Sequence, residues 1–264
     1  MTISADDFLW QMFPYWRGIA KETCEKLGEE ADLFTMAYSD ALDIHSYVCQ
    51  HYSQAEQMES LVAFELPGLW KELYWMQFLF WASNYPVVMG RLRFNWEQIY
   101  RAYHADTYAL RNPAAPDLPG KTVDGMHEWL MRQEEGNRLR WSDVIEPALA
   151  RFFSGWPSGE ARSVFKPLWD RLSGFVHPSG QLRELLIGET NLKVRDGFDE
   201  ALAMSTLEDT RLVLDLIWVC IVDRFPKIVP SLKDDPHVFA SFPRLRAMLD
   251  PAETPPAEGV AGQS

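Results

Sequence analysis

The sequence is short of cysteine, of positive charge and of long apolar runs. Its three cysteines, Cys24, Cys49 and Cys220, stand far apart and form no CxxC pair. An odd, scattered set argues against a disulfide framework and favours a reducing compartment. The first residues carry two aspartates where an export signal needs positive charge, so we expect a cytoplasmic protein.

The most apolar runs are too short to cross a membrane. They cover residues 73–82 and 212–222, and the second run contains Asp215. A membrane-spanning helix needs roughly 18 or more consecutive apolar residues. We therefore predict two core helices and no membrane partner.

The charge balance is strongly acidic, with 25 Lys and Arg against 38 Asp and Glu and a formal charge of −13. Such a balance repels polyanions at long range and argues against a protein that coats nucleic acid. It does not exclude a nuclease, because the electrostatic field that acts on a bound substrate is that of the local cleft and not that of the net charge. Eight arginines are candidates for a local basic pocket: Arg91, Arg93, Arg101, Arg138, Arg140, Arg171, Arg183 and Arg195.

Several motifs that carry chemistry are missing. Neither GxGxxG nor GxxxxGK[ST] occurs, which removes the commonest nucleotide cradles, and there is no GxSxG elbow. Two sets of acidic and histidine residues could be considered for a metal, namely Asp40, Asp43, His45 and His51, or Glu97 and His104. Because neither ExxH nor HExxH occurs, these sets have no supporting motif, and we expect no metal and no cofactor.

The chain is rich in apolar residues that recur at helical spacing. The residues are 47% hydrophobic and 13% aromatic, enough for a substantial core. Apolar positions recur at steps of three and four without sustained alternation, which predicts an all-α helical bundle. The expected helices cover 4–27 with an interruption near Pro14, 29–51, 67–82 opened by Pro67, 86–108, 122–136, 142–154, 159–176, 198–225 and 235–249.

The best internal boundary is the segment RNPAAPDLPG, which holds three prolines. We expect an N-terminal helical half over 1–110, a Pro-rich connection over 111–121 and a C-terminal helical half over 122–250. The C-terminal half is expected to form one compact domain with part of the N-terminal half. The tail 251–264 is rich in Pro, Ala, Glu and Gly and is predicted to be disordered.

The predicted helix 86–108 carries two neighbouring stripes. Its apolar stripe is formed by Leu92, Trp96, Ile99 and Tyr103. A polar stripe lies about 100° further round the helix and is formed by Arg93, Glu97, Tyr100 and His104. One interpretation is an ordinary Arg93–Glu97 surface pair with a surface histidine. The other is that the polar stripe supports a site supplied by another helix.

The stretch RLSGFVHPSG at 171–180 closes a later helix. The apolar steps Phe165, Leu168, Leu172 and Phe175 predict a helix that runs to about Val176. Pro178 disfavours the helical conformation at His177, so the histidine is placed at the helix C-terminus, where the dipole favours a protonated ring.

Arg171 and His177 do not share a helix face. Six residues correspond to about 600° of turn, so the two side chains start about 120° apart and about 9 Å along the axis. They can meet at one small group only if the helix end bends or a second subunit closes the site.

Asp170, Ser173 and His177 do share a face and have the residue types of a hydrolase triad. Neighbours on one helix face rarely reach triad geometry, so this hypothesis is weak. A simpler interpretation is structural: Arg171 pairs with a neighbouring acid, Ser173 bonds a backbone carbonyl and His177 caps the helix.

The spacing R-x5-H, the phrase LSGFVHPSG and the earlier RLRFNWE helix together resemble the HEPN superfamily (higher eukaryotes and prokaryotes nucleotide-binding). The resemblance covers residues 86–108 and 160–225. It implies a HEPN-like helical core, here with an N-terminal helical extension. In the ribonuclease members an Arg and a His from two subunits meet across a dimer interface and cleave RNA without a metal.

The resemblance assigns the scissile phosphate to Arg171 and proton transfer to His177. It implies a homodimer, an RNA substrate, and an antitoxin or other protein partner in a toxin or phage-defence system. The supporting residues would be Asp170, Ser173, Arg93, Glu97, Tyr100 and His104.

The sequence departs from the family pattern at Leu172, since a polar residue usually follows the arginine. Leu172 and the acidic balance favour an alternative, a non-catalytic helical interaction or ligand-binding protein that keeps the fold.

Overall fold

Every regular element in the described part of the chain is a helix, as the spacing of apolar residues predicts. The computed structural model describes residues 5–112, 122–136, 139–155, 159–176 and 198–235, with the backbone alone for residues 5–13. The α-helices are α1 (Ala5–Leu27), α2 (Leu33–His51), α3 (Gln54–Met58), α4 (Leu61–Trp81), α5 (Tyr85–Arg111), α6 (Val123–Glu135), α7 (Trp141–Phe152), α8 (Glu160–Val176), α9 (Glu200–Arg224) and α10 (Val229–Asp234). Two 3₁₀ turns cover Gly28–Asp32 and Pro226–Ile228.

Helix α5 is the centre of the bundle. It contacts α4, α6, α7, α8 and α9. Its apolar stripe is buried as predicted, and Trp96 is fully enclosed, with its ring edge-on to those of Trp141 and Trp169. Buried residues from both sides of the segment 113–121 form a single apolar cluster, so one core positions both α5 and α8.

Two prolines lie inside helices, although Pro14 was predicted to interrupt a helix and Pro67 to open one. Helix α1 continues through Pro14, and α4 begins at Leu61, six residues before Pro67. A proline within a helix removes one hydrogen bond without ending the helix when the surrounding turns are held. The start of α4 is held by Ser60, whose hydroxyl accepts the backbone N–H of Ala63 at 3.2 Å.

Other predicted boundaries agree with the structure to within a few residues, and the described part of α8 extends to Val176. Helices α3 and α10 were not predicted. A capping box between Ser53 and Glu56 stabilises the first turn of α3. The residues 236–249, the Pro-rich positions 113–121 and the tail 251–264 lie outside the described residues.

No helix among the described residues combines the length and the apolarity that a membrane crossing requires. The run at 73–82 is only partly a core segment. Met76 and Phe80 are buried, whereas Tyr74, Trp75 and Phe78 are exposed on the other side of α4. The prediction of a core helix over 73–82 therefore holds for one side of the helix only, because this helix is apolar on both of its faces.

Candidate functional site

The C-terminal half of α8 brings the predicted site residues to the surface of the bundle. Leu168 and Leu172 are buried and fasten the helix to the core. Arg171 and Ser173, on either side of Leu172, consequently point away from that anchor. His177 lies just beyond the end of α8 and outside the described residues, so its predicted role stays a prediction.

Arg171 is held by a carboxylate of another helix. Its Nε donates to Asp209 Oδ2 at 3.0 Å, and its Nη2 donates to Asp209 Oδ1. The Asp209 side chain is only 6% exposed, whereas that of Arg171 is 48% exposed. This fork fixes the plane of the guanidinium on α9 and leaves its outer edge open to solvent.

Ser173 is engaged by two neighbours. Its hydroxyl donates to the carbonyl of Trp169 at 2.7 Å and accepts Nε of Arg93 at 3.0 Å. Since its proton is committed to a backbone carbonyl, Ser173 is not poised as a nucleophile. Asp170 is exposed and pairs with Lys166 at 2.5 Å, so the arrangement gives no support to a triad with Ser173.

Arg93 joins α5 to α8. Its Nη1 lies 2.5 Å from Glu97 Oε2, and its guanidinium carbon lies 3.0 Å from the centre of the Trp169 ring. Burial lowers the pKa of Arg93 to about 10, while the charge of Glu97 opposes that shift. Arg93 therefore remains a cation at neutral pH, clamped between a carboxylate and an aromatic face.

Glu97 and its neighbours extend this polar row along α5. Glu97 also pairs with Arg101 at 2.6 Å, and Arg101 reaches Glu134 of α6 at 3.2 Å. Ser173, Arg93, Glu97, Arg101 and Glu134 thus form a continuous chain of polar contacts from α8 to α6.

Tyr100 and His104 belong to different surroundings. The Tyr100 hydroxyl is buried and donates to the carbonyl of Leu216 on α9 at 3.2 Å. His104 packs against Trp129 of α6 with 5.7 Å between ring centres, and burial lowers the pKa of its imidazole. In the described structure these two predicted supporting residues contact α9 and α6, whereas Arg93 contacts α8.

The described residues hold no group of three or more His, Cys, Asp and Glu side chains with the spacing of a metal site. Among the residues considered for a metal, His45 lies beside Cys49 and His51 lies beside Ser231.

Comparisons with known proteins give no family assignment. No family model, no curated protein and no solved structure matches the chain. The all-helical fold is thus what is shown, and the HEPN-like features remain a resemblance.

Two residues of the site were missed by sequence reasoning. Asp209 falls within a buried row of α9 that also contains Thr206 and Thr210. A charged residue in such a row signals a buried partner, and this signal was available in the sequence. The ring of Trp169 contacts the guanidinium of Arg93. From the sequence Trp169 could only be predicted as a core aromatic residue, because its partner comes from a helix that is distant in sequence.

Proposed function

We propose that the protein is a HEPN-like, metal-independent endoribonuclease of a toxin or phage-defence type, acting as a homodimer. The proposal takes its chemistry from the R-x5-H resemblance and its support from the surroundings of Arg171. Arg171 is the phosphate-binding residue and His177 the proton-transfer residue.

The observation that carries the proposal is the held but accessible guanidinium of Arg171. Arginine has five N–H donors, of which Asp209 takes two. The remaining donors lie on the exposed side of a group that is half accessible. A guanidinium fixed by a buried carboxylate loses little side-chain entropy when it binds a phosphate.

The reaction follows from these two groups. Water accepts the proton of an RNA 2′-hydroxyl, and the resulting oxygen attacks the adjacent phosphorus. The bond from phosphorus to the 5′-oxygen breaks, and that oxygen takes up a proton from the protonated imidazole of His177. Arg171 offsets the negative charge that builds on the phosphoryl oxygens. The products are a 2′,3′-cyclic phosphate and a 5′-hydroxyl end.

The spacing of the two proposed catalytic residues gives a reason for a second subunit. On a regular helix the R-x5-H spacing would start Arg171 and His177 about 120° apart, so a complete site needs a bend or a second copy. A largely apolar groove of about 440 Å³ adjoins the end of α8, lined by residues that include Val87, Phe94, Phe175 and Val176. Val176 immediately precedes His177, and we assign the groove to a second copy of the chain.

One observation favours the alternative, a non-catalytic interaction or ligand-binding protein. The charge of Arg171 is matched by Asp209, which lowers the attraction of this surface for a phosphate. The overall charge of −13 acts in the same direction.

The test is RNA cleavage by the purified chain, by two site variants and by one control variant. We expect the wild type to produce 5′-hydroxyl ends and His177→Ala to lose about a hundredfold or more of the rate, the scale of general acid–base catalysis. Arg171→Ala should lose a comparable factor. The matched control is Arg162→Ala, since Arg162 lies on the same helix and forms a surface pair with Glu146.

Cleavage that is equal in the wild type and His177→Ala would refute the nuclease proposal. Absence of cleavage by the wild type on structured and single-stranded RNA would favour the non-catalytic alternative.

A further inference from the structure

A second concave site lies between α4, α5 and α6. Its volume is about 220 Å³. This is below the roughly 300–1,000 Å³ of pockets for drug-sized ligands, so a ligand held here is small. Its polar lining consists of Glu65, Glu97, Gln98, Arg101, His127 and Glu134.

Glu65 is the least accessible carboxylate of this cleft, with a side chain that is 13% exposed. Its Oε2 accepts Nε2 of Gln98 at 2.7 Å. Its Oε1 lies 3.8 Å from Nε2 of His127, which is beyond hydrogen-bond distance. No lysine or arginine of the described residues forms an ion pair with Glu65, and burial raises the pKa of its carboxyl.

The charge of the lining is negative. Three carboxylates face one guanidinium, that of Arg101, which already pairs with Glu97 and Glu134. Glu97 in addition has Arg93. Glu65 is therefore the carboxylate of the cleft whose ion-pair neighbour among the described residues is a histidine, His127, and not an arginine. A cation that binds next to it would meet Oε1, which accepts no hydrogen bond in the described structure.

The other walls are apolar. Leu61, Phe94, Leu130, Met131 and Leu139 line the cleft, and the rings of Phe64 and His127 meet edge to face at 5.7 Å beside it. A hydrated metal ion would leave these walls unused. An organic cation with an apolar group would cover them and gain about 25 cal/mol per Å² of apolar surface.

We propose that this cleft binds a small primary amine that carries an aryl or alkyl group, with its ammonium on Glu65 and its apolar group against Phe94 and Met131. An ammonium has three donors, which suits the open oxygen of Glu65 and leaves donors for the other carboxylates. Arg171 does not line this cleft, which shares Glu97 with the polar row and Phe94 with the groove at the end of α8, and amine binding is measured without RNA.

The test is calorimetric titration of the full chain with phenethylamine, and with phenethyl alcohol as the uncharged counterpart. We expect saturable binding of the amine and at least about tenfold weaker binding of the alcohol, since hydrogen bonds to charged groups contribute about 1.5–3 kcal/mol. Glu65→Gln should weaken amine binding by about tenfold to a hundredfold on the same scale.

The matched control is Glu128→Gln, which makes the same change in charge at an exposed position of α6 beside His127. It should bind the amine like the wild type. A second variant, Met131→Lys, places a cation on the wall at an exposed position and should abolish binding without disturbing the core.

Three results would overturn the proposal. They are absence of saturable binding of the amine up to about 10 mM, equal affinity for the amine and the alcohol, and wild-type affinity in a folded Glu65→Gln or Met131→Lys protein.

Discussion

At the scale of single residues, the charged groups of the candidate site are held by partners from other helices. Asp209 fixes Arg171, and Trp169 with Ser173 fixes Arg93. The Arg93–Glu97 pair follows from i,i+4 spacing and could be predicted. The partners from α8 and α9 could not, because they depend on how helices far apart in sequence are placed against one another.

Arg93 is the residue whose loss we expect to be most costly in this row. Arg93→Ala removes a nearly buried ion pair, a hydrogen bond to Ser173 and the contact with Trp169, and should lower the free energy of unfolding by about 2–4 kcal/mol. Glu97 keeps Arg101, which limits the loss. Urea unfolding followed by tryptophan fluorescence measures the change.

The control for Arg93 is Arg91→Ala, two residues away on the same helix. Arg91 is half exposed and pairs with Glu72 at 2.9 Å, so its loss should cost less than about 1 kcal/mol. Equal losses in the two variants would show that the contacts of Arg93 with α8 do not stabilise the fold.

At the scale of elements, helix ends that are fixed by local residues could be predicted from the sequence, and those fixed by distant residues could not. The start of α6 follows from Thr122, whose hydroxyl accepts the backbone N–H of Gly125 at 3.2 Å. The start of α4 was placed at Pro67, because proline is typical of a first helical turn. The true start depends on Asp106, a residue of α5 that no local pattern connects to α4.

Asp106 ties three elements together. Its Oδ1 accepts the backbone N–H of Leu61 at 2.8 Å, and its Oδ2 accepts the Ser60 hydroxyl at 2.5 Å and Nε of Arg224 at 2.7 Å. The carboxylate is fully buried, and burial raises its pKa against the opposing effect of Arg224.

Asp106→Ala should therefore destabilise the fold by about 3–5 kcal/mol, because it leaves Arg224 without its buried partner and the backbone N–H of Leu61 without its acceptor. Thermal and urea unfolding measure the loss. Asp124→Ala, at an exposed position in the first turn of α6, is the control and should cost at most about 1 kcal/mol. A change at Asp106 no larger than that at Asp124 would contradict the assigned role.

At the scale of the whole molecule, the all-helical fold class could be predicted from the sequence, whereas the residues that remain on the surface could be predicted less well. Apolar periodicity identified the longer helices because they bury a stripe against α5 or its neighbours, whereas the short helix α3 buries no residue and was missed. It could not show which aromatic residues remain outside when a helix is apolar on two faces, as α4 is with Tyr74, Trp75 and Phe78. The number of copies is likewise a property of the surface and not of the helical pattern.

The apolar groove at the end of α8 gives the copy number a direct test. Its exposed members Val87, Phe94 and Val176 would lose water on contact with a second copy, and Val176 would bring the neighbouring His177 to that interface. The wild type should behave as a dimer with twice the chain mass of 30.5 kDa in light scattering after gel filtration. Val87→Asp places a charge in the groove at an exposed helical position and should shift the population to the monomer.

Leu110→Asp is the matched control, since Leu110 is also an exposed apolar residue but lies at the other end of α5. It should leave the dimer intact. If Val87→Asp becomes monomeric, it should also lose RNA cleavage while its unfolding curve stays close to that of the wild type, because a site shared between subunits fails without the partner even when each chain is folded. Two results would remove the groove from the interface. One is a wild type that is monomeric at about 50 μM, far above the micromolar range of weak specific association, and the other is a Val87→Asp protein that is as dimeric as the wild type. A bend in α8 would then be the route by which Arg171 and His177 could meet.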